Sequence, residues 1–307
     1  MKRIYLLLSI FFLLTIIGVA QQDSLIFTSV EWENQDIHKG LTWEKYHFKN
    51  KELFNSNQNI NILELVPTAN KLSLAFVCSD SLETTSQLGV RSKAVAGVNG
   101  SYFKMRGEDP DNHPELTKVP KSSPSKIAIN RSIMYMKLDG KLITENKAGH
   151  PHVKRYPRGV LAIGNDVSII KVDTSVENWE STLSADNIIT AGPVLLSSGQ
   201  QIDIPDDAFS NNRHPRTAIG IRADGVVLLV VVDGRSAESY GMSLEELQKT
   251  MLWLGCVDAI NFDGGGSSTM YVKGQSFNGV VSCPSDNKKF DHKGEREVAN
   301  AIMILAE

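Results

Sequence analysis

Cysteine is scarce in this chain, with only Cys78, Cys256 and Cys283 present. Three thiols so widely separated exclude a disulfide framework and a zinc cluster, and allow at most one bridge; whether Cys256 and Cys283 pair is left open. Cys78 and Cys256 sit in apolar runs and read as core thiols. No basic stripe interleaved with aromatics occurs, so the footprint of nucleic-acid binding is missing. No Gly-x-Ser-x-Gly elbow is present, and Gly264-Gly265-Gly266-Ser267 lacks the lysine of a nucleotide-binding loop. His113, His150, His152 and His214 contain no i, i+4 pair, which argues against a zinc hydrolase.

The one apolar run near the length of a bilayer span lies in the first twenty residues. Lys2 and Arg3, the stretch from Ile4 to Ile17 and the small-residue ending Gly18-Val19-Ala20 follow the order of a secretory signal peptide, with scission expected after Ala20. No cysteine follows to take a lipid anchor, and no later segment is apolar enough to span a bilayer. The expectation is a secreted or periplasmic protein of the cell envelope, without stable membrane insertion after cleavage. Removing Lys2 and Arg3 from the 32 basic residues leaves 30 against 35 acidic ones, a mildly acidic balance.

What remains is strand-rich. Leu25–Trp32, Leu41–Phe48, Ile60–Val66 and Leu72–Val77 read as strands between polar turns, and Thr84–Lys93 as a short helix. Residues Lys104 to Ser125, rich in proline and charge, read as a surface excursion. Strands are expected again at Lys126–Asn130, Ile133–Leu138, Gly159–Ile163, Val167–Val172, Ile188–Leu196 (interrupted by Gly192-Pro193) and Val298–Leu305. Arg216–Arg222 and Val226–Val232 flank an Asp224-Gly225 hairpin turn. Ser243 and Glu246 form a capping box for a helix to about Leu254. These elements predict an α+β protein with a large mixed sheet and few helices: residues 21–93 as a strand-rich N-terminal part, then a main domain over 94–307.

The densest chemistry lies at Asn261-Phe262-Asp263-Gly264-Gly265-Gly266-Ser267-Ser268. Three glycines without Cβ let the backbone approach a ligand, and an aspartate and hydroxyls flank them. Three further strand ends carry polar clusters: Asn99-Gly100-Ser101-Tyr102-Phe103, Arg216-Thr217-Ala218-Ile219-Gly220 and Val232-Asp233-Gly234-Arg235. In this order and spacing the four resemble the phosphodiester glycosidase family, whose animal member removes N-acetylglucosamine from a phosphodiester. The resemblance covers about Ala94 to Ala306.

It implies hydrolysis of a sugar 1-phosphodiester at the anomeric bond, with a sugar-phosphate or glycan as partner. On that reading Arg216 and Arg235 are phosphate-clamp candidates because guanidinium groups pair with phosphate oxygens, and amides from Gly264 to Ser268 would complete the cradle. Asp263 is the candidate base or nucleophile, and Asp233 an orienter or second acid. Asn99 and Thr217 are candidates for bonding a sugar hydroxyl or phosphate oxygen. Tyr102 and Phe103 would wall a sugar ring, and Glu246 stands behind the site. Ser267 activated by His214 or His292 is a minor alternative nucleophile. No cofactor is required, and a divalent cation near Asp263 stays open. The competing readings are a non-catalytic sugar-phosphate binding protein and a phosphodiesterase that breaks the P–O bond.

Overall fold

The computed structural model describes residues 22–67, 71–105, 131–145, 158–173 and 176–306. The expected signal peptide, the strand at Lys126–Asn130 and most of the Lys104 to Ser125 excursion lie outside them.

The chain begins with helix α1 (22–29), then strands β1 (Glu33–His38), β2 (Leu41–Leu53), β3 (Ser56–Leu65) and β4 (Leu72–Thr84), helix α2 (Thr85–Ser92) and β5 (Ala96–Asn99). The middle supplies β6 (Met136–Leu138), β7 (Lys141–Thr144), β8 (Arg158–Ile163), β9 (Val167–Val172), β10 (Asn187–Ala191), β11 (Val194–Ser197) and β12 (Gln200–Gln201). Last come α3 (Ala208–Asn211), β13 (Arg216–Arg222), β14 (Val227–Val232), α4 (Leu244–Trp253), β15 (Cys256–Asn261), β16 (Met270–Val272) and β17 (Glu297–Ala306).

The strands form three sheets: eight strands in the order β1-β2-β3-β14-β13-β15-β11-β12, five in the order β7-β6-β10-β8-β9, and four in the order β16-β5-β17-β4. This is the strand-rich α+β architecture expected, with antiparallel pairing throughout the described strands and the sheet divided in three. Residues 33–84 are not set apart, because β3 pairs with β14 and β4 with β17.

β14 shows why its sequence is an unbroken apolar run. Side chains alternate across a strand, and here both faces are covered: Val227, Leu229 and Val231 enter the core between the sheets, while Leu228, Val230 and Val232 enter a second core under the helices. Each such burial is worth about 1.5–3 kcal/mol relative to exposure. The second core takes Leu244, Leu247 and Met251 from α4, whose Ser243–Glu246 capping box is formed as read. The Asp224-Gly225 turn also forms, with Gly225 at φ 84°.

One element differs in kind. Residues 22–29, taken in part as a strand from their β-branched content, are helical. Ile26, Phe27 and Val30 pack on the second core at helical spacing, and Phe27 lies 5.4 to 5.9 Å from the rings of Trp32, Phe48 and Trp253. An aromatic socket distant in sequence outweighs local strand propensity here. All three cysteines are free thiols, so Cys256 and Cys283 do not pair.

Candidate active site

Antiparallel pairing brings the polar strand ends together. Arg216 at the start of β13 lies opposite Val232 at the end of β14, and Ala218 opposite Asn261 at the end of β15. The end of β5, from the facing sheet, closes the group. Thr217 donates its hydroxyl to Asn99 Oδ1 at 2.8 Å, and Asn99 Nδ2 donates to the main-chain carbonyl of Asp263 at 2.7 Å. Asn99 Oδ1 also accepts from Thr269 N at 3.2 Å, and the Thr217 hydroxyl lies 3.2 Å from that of Ser268. Asn99, Thr217 and Ser268 are thus gathered as the sequence suggested, but all three are buried. Their bonds hold the Asp263 turn from behind. Tyr102 is buried as well and gives its hydroxyl to Gly192 O at 2.7 Å while accepting from Asn261 Nδ2 at 3.1 Å. It braces the site and does not wall a ligand.

The turn itself is a short 3-10 segment over Gly265–Ser267. Three of the five amides expected to cradle an anion are already used: Gly265 N donates to Pro215 O, Ser267 N to Gly264 O and Ser268 N to Gly265 O. The cradle therefore depends on side chains. Asp263 is only partly covered. Desolvation by its surroundings raises its pKa to about 6, against the opposing pull of the Ser267 hydroxyl, the Arg296 guanidinium, the Gly264 amide and Arg235. The Ser267 hydroxyl is close enough to favour the ionised form, yet it has no well-formed hydrogen bond; neither His214 nor His292 is bonded to it. His292 Nδ1 is engaged with Ser282 O at 2.7 Å, which leaves the serine-nucleophile alternative without its base.

The two arginines proposed as a clamp separate. Arg216 is buried, with Nε donating to Met242 O at 2.8 Å and Nη2 to Phe209 O and Asn212 O at 2.8 and 3.0 Å, its guanidinium 4.9 Å from the Phe209 ring. It ties α3 and the approach to α4 onto β13. Arg235 is exposed, held at φ 64°, and reaches over the glycine turn, where a Cβ on Gly265 would lie 2.8 Å from its Nη2. The structure adds Arg296, which the sequence reading missed. It forms a fork with Asp286, Nε to Oδ2 and Nη2 to Oδ1 both at 2.8 Å, and this pair presses on Gly266 so closely that no Cβ fits there. Neither residue lies in an apolar strand-end motif, the signal by which the others were found.

Asp233 is fully buried. Its carboxylate accepts from Asn59 Nδ2 at 2.7 Å and from Cys283 N at 2.8 Å, and burial raises its pKa to about 6. It anchors the start of the Arg235 loop to β3 and to the segment leading to Asp286. Glu246 closes its capping box and accepts from Arg213, whose Nε is shared between its two oxygens at 3.0 and 3.1 Å and whose Nη2 donates to Oε1 at 2.5 Å, so helix docking accounts for it.

A family model described as phosphodiester glycosidase matches residues 92–305, which contain all four strand-end clusters, Asp286 and Arg296. The chain belongs to the phosphodiester glycosidase family.

Among relatives, a prophage-derived uncharacterized protein of Bacillus subtilis is 43% identical over 70 residues, covering 23% of this chain and 11% of that one. The N-acetylglucosamine-1-phosphodiester alpha-N-acetylglucosaminidases of Bos taurus and Homo sapiens are each 39% identical over 107 residues, or 33% of this chain and 19% and 20% of theirs. The matched stretch is thus a fifth or less of these curated relatives. In fold, this family member resembles a hypothetical protein from Synechocystis (TM-score 0.61, 14% identity, 91% of this chain and 64% of that one). It also resembles the zebrafish N-acetylglucosamine-1-phosphodiester alpha-N-acetylglucosaminidase catalytic domain (TM-score 0.59, 18% identity, 91% and 89%). The latter likeness extends beyond 92–305 and includes strands of the N-terminal part.

Proposed function

We propose that this protein hydrolyses the anomeric C–O bond of a sugar 1-phosphodiester, releasing a free sugar and a phosphomonoester. The observation that carries the reading is the setting of Asp263, a partly exposed residue at the glycine turn, with Arg235 and Arg296 both near enough to act on its charge. A phosphodiester brings one negative charge, and Arg235 binds it through paired hydrogen bonds. As the bond from the anomeric carbon to the phosphate oxygen breaks, its electron pair passes to the phosphate, and Arg235 stabilises the charge that accumulates there. Asp263 accepts the proton of the attacking water; a pKa of about 6 leaves it ionised at neutral pH yet basic enough for that role. Asp233 acts by position, fixing the loop that carries Arg235.

The signal-like order of residues 1–20 supports export, with an envelope glycan or sugar-phosphate polymer as the substrate class. The same groups also suit a protein that binds such a ligand without cleaving it. Hydrolysis of a model sugar 1-phosphodiester in ¹⁸O-water decides the matter. The label is expected in the sugar; label in the phosphate overturns C–O cleavage, and tight binding without turnover overturns catalysis.

A further inference from the structure

The two guanidinium groups at the glycine turn differ in charge balance. Arg296 is paired in a fork with the Asp286 carboxylate, at 2.8 Å for both bonds, and the pair is seated against Gly266. Arg235, seated against Gly265, has no hydrogen bond or ion pair among the described residues; it acts only at a distance on Asp263 and His214. Asp286 therefore removes one of the two positive charges a phosphate would meet and places a negative one at the rim. This rests on the anomeric-cleavage reading above, because that reaction turns a monoanionic diester into a phosphomonoester that is dianionic above about pH 6.

We propose that Asp286 is a specificity-determining residue that counts phosphate charge: by occupying Arg296 it tunes the site to the single charge of a diester and disfavours the second charge of a monoester. A diester needs one guanidinium fork, which Arg235 provides. A monoester adds a charge that Arg235 cannot balance and Asp286 repels, so selectivity comes from a repulsive element as well as an attractive one. The product is expelled by the same device. The charged groups tied to the turn beside this fork include Arg235 and Asp263 across the glycines, and His214 beyond Arg235, with a pKa lowered by burial, by Arg216 and by Arg235. Asp263 and Arg296 act on each other only at a distance, whereas Asp286 is bonded to Arg296 through both arms of the fork.

The test is titration calorimetry at pH 8 with N-acetylglucosamine 1-phosphate and its methyl diester, using the D263N chain to prevent turnover. The diester is expected to bind at least tenfold more tightly. Adding D286N, nearly the same shape without the charge, should cut that preference about tenfold, mainly by tightening the monoester. Adding R296Q, which leaves the Asp286 charge uncompensated, should widen it. A preference unchanged within threefold in both double variants overturns the charge-counting role while leaving the proposed reaction standing. Binding of neither ligand to any of these chains overturns both.

Discussion

The side-chain amide of Asn99 donates to the main-chain carbonyl of Asp263 at 2.7 Å, joining positions 164 residues apart across two sheets. Through it the end of β5 sets the height of the glycine turn above β13, and Thr217 completes the link at 2.8 Å. Asn99 is fully buried, so its loss leaves Thr217 Oγ1, Thr269 N and Asp263 O short of partners. Asn99→Leu should destabilise by about 2–4 kcal/mol, since each buried polar group left unpaired costs about 1–3 kcal/mol. Urea denaturation measures this; a loss under 1 kcal/mol would show that the network does not hold the turn.

Asp263 and Asp233 both have pKa values raised from 3.8 to about 6 by burial. If Asp263 is the base, kcat/KM should rise about tenfold per pH unit up to about pH 6 and then level off. Stability should run the other way. A raised carboxylate binds its proton more tightly in the folded state, so the stability gained by protonation is complete below pH 3.8 and is lost as pH rises through 6. Asp263→Asn should abolish the acid limb of activity and flatten that part of the stability profile. An acid limb retained in the variant would assign it to another group.

Arg216 and Arg235 should separate by readout. Arg235→Ala is expected to keep its melting temperature within a few degrees and lose about a hundredfold or more in kcat/KM, the scale for a charge-stabilising donor. Arg216→Ala removes a donor from three main-chain carbonyls, of which Met242 O keeps the amide of His214, and should cost on the order of 3 kcal/mol. Arg216→Lys should recover little, because one ammonium cannot reproduce the fork. Full activity in Arg235→Ala would remove it from the phosphate site.

Glycine positions offer a controlled comparison. At Gly266 a Cβ collides with Asp286 and Arg296, whereas Gly274, at φ 85°, has open space around it. Gly266→Ala should displace the ion pair and reduce activity at least tenfold. Gly274→Ala should cost only about 1 kcal/mol from its backbone conformation, with activity unchanged. Equal behaviour of the two would mean that the Asp286 fork does not shape the site.

The elements read most directly were those whose signal is local. The β13–β14 hairpin is written in Asp224-Gly225 and the apolar runs beside it, and the start of α4 in Ser243 and Glu246. Among site residues, Asn99, Thr217, Asp263 and Ser268 were recognisable as one group because each lies within a short polar motif at a strand end. Arg296 and Asp286 carry no such motif, and their relevance follows only from packing against Gly266. Arg216 misled because an arginine at a strand end looks the same in sequence whether it faces solvent or the carbonyls of Met242 and Phe209.

Periodicity, turn chemistry and caps are properties of neighbouring residues, so the sequence by itself determined a strand-rich α+β chain, its main hairpin, its capped helix and the family to which its four polar clusters point. Direction and charge balance are properties of distant residues brought together. Only the tertiary structure decided that Asn99 and Thr217 face inward, that Arg216 braces backbone while Arg235 reaches the turn, and that Asp286 pairs with Arg296. The physical reason is that a hydrogen bond or ion pair depends on which groups fill the remaining space around a side chain, and that space is closed by strands far away along the chain.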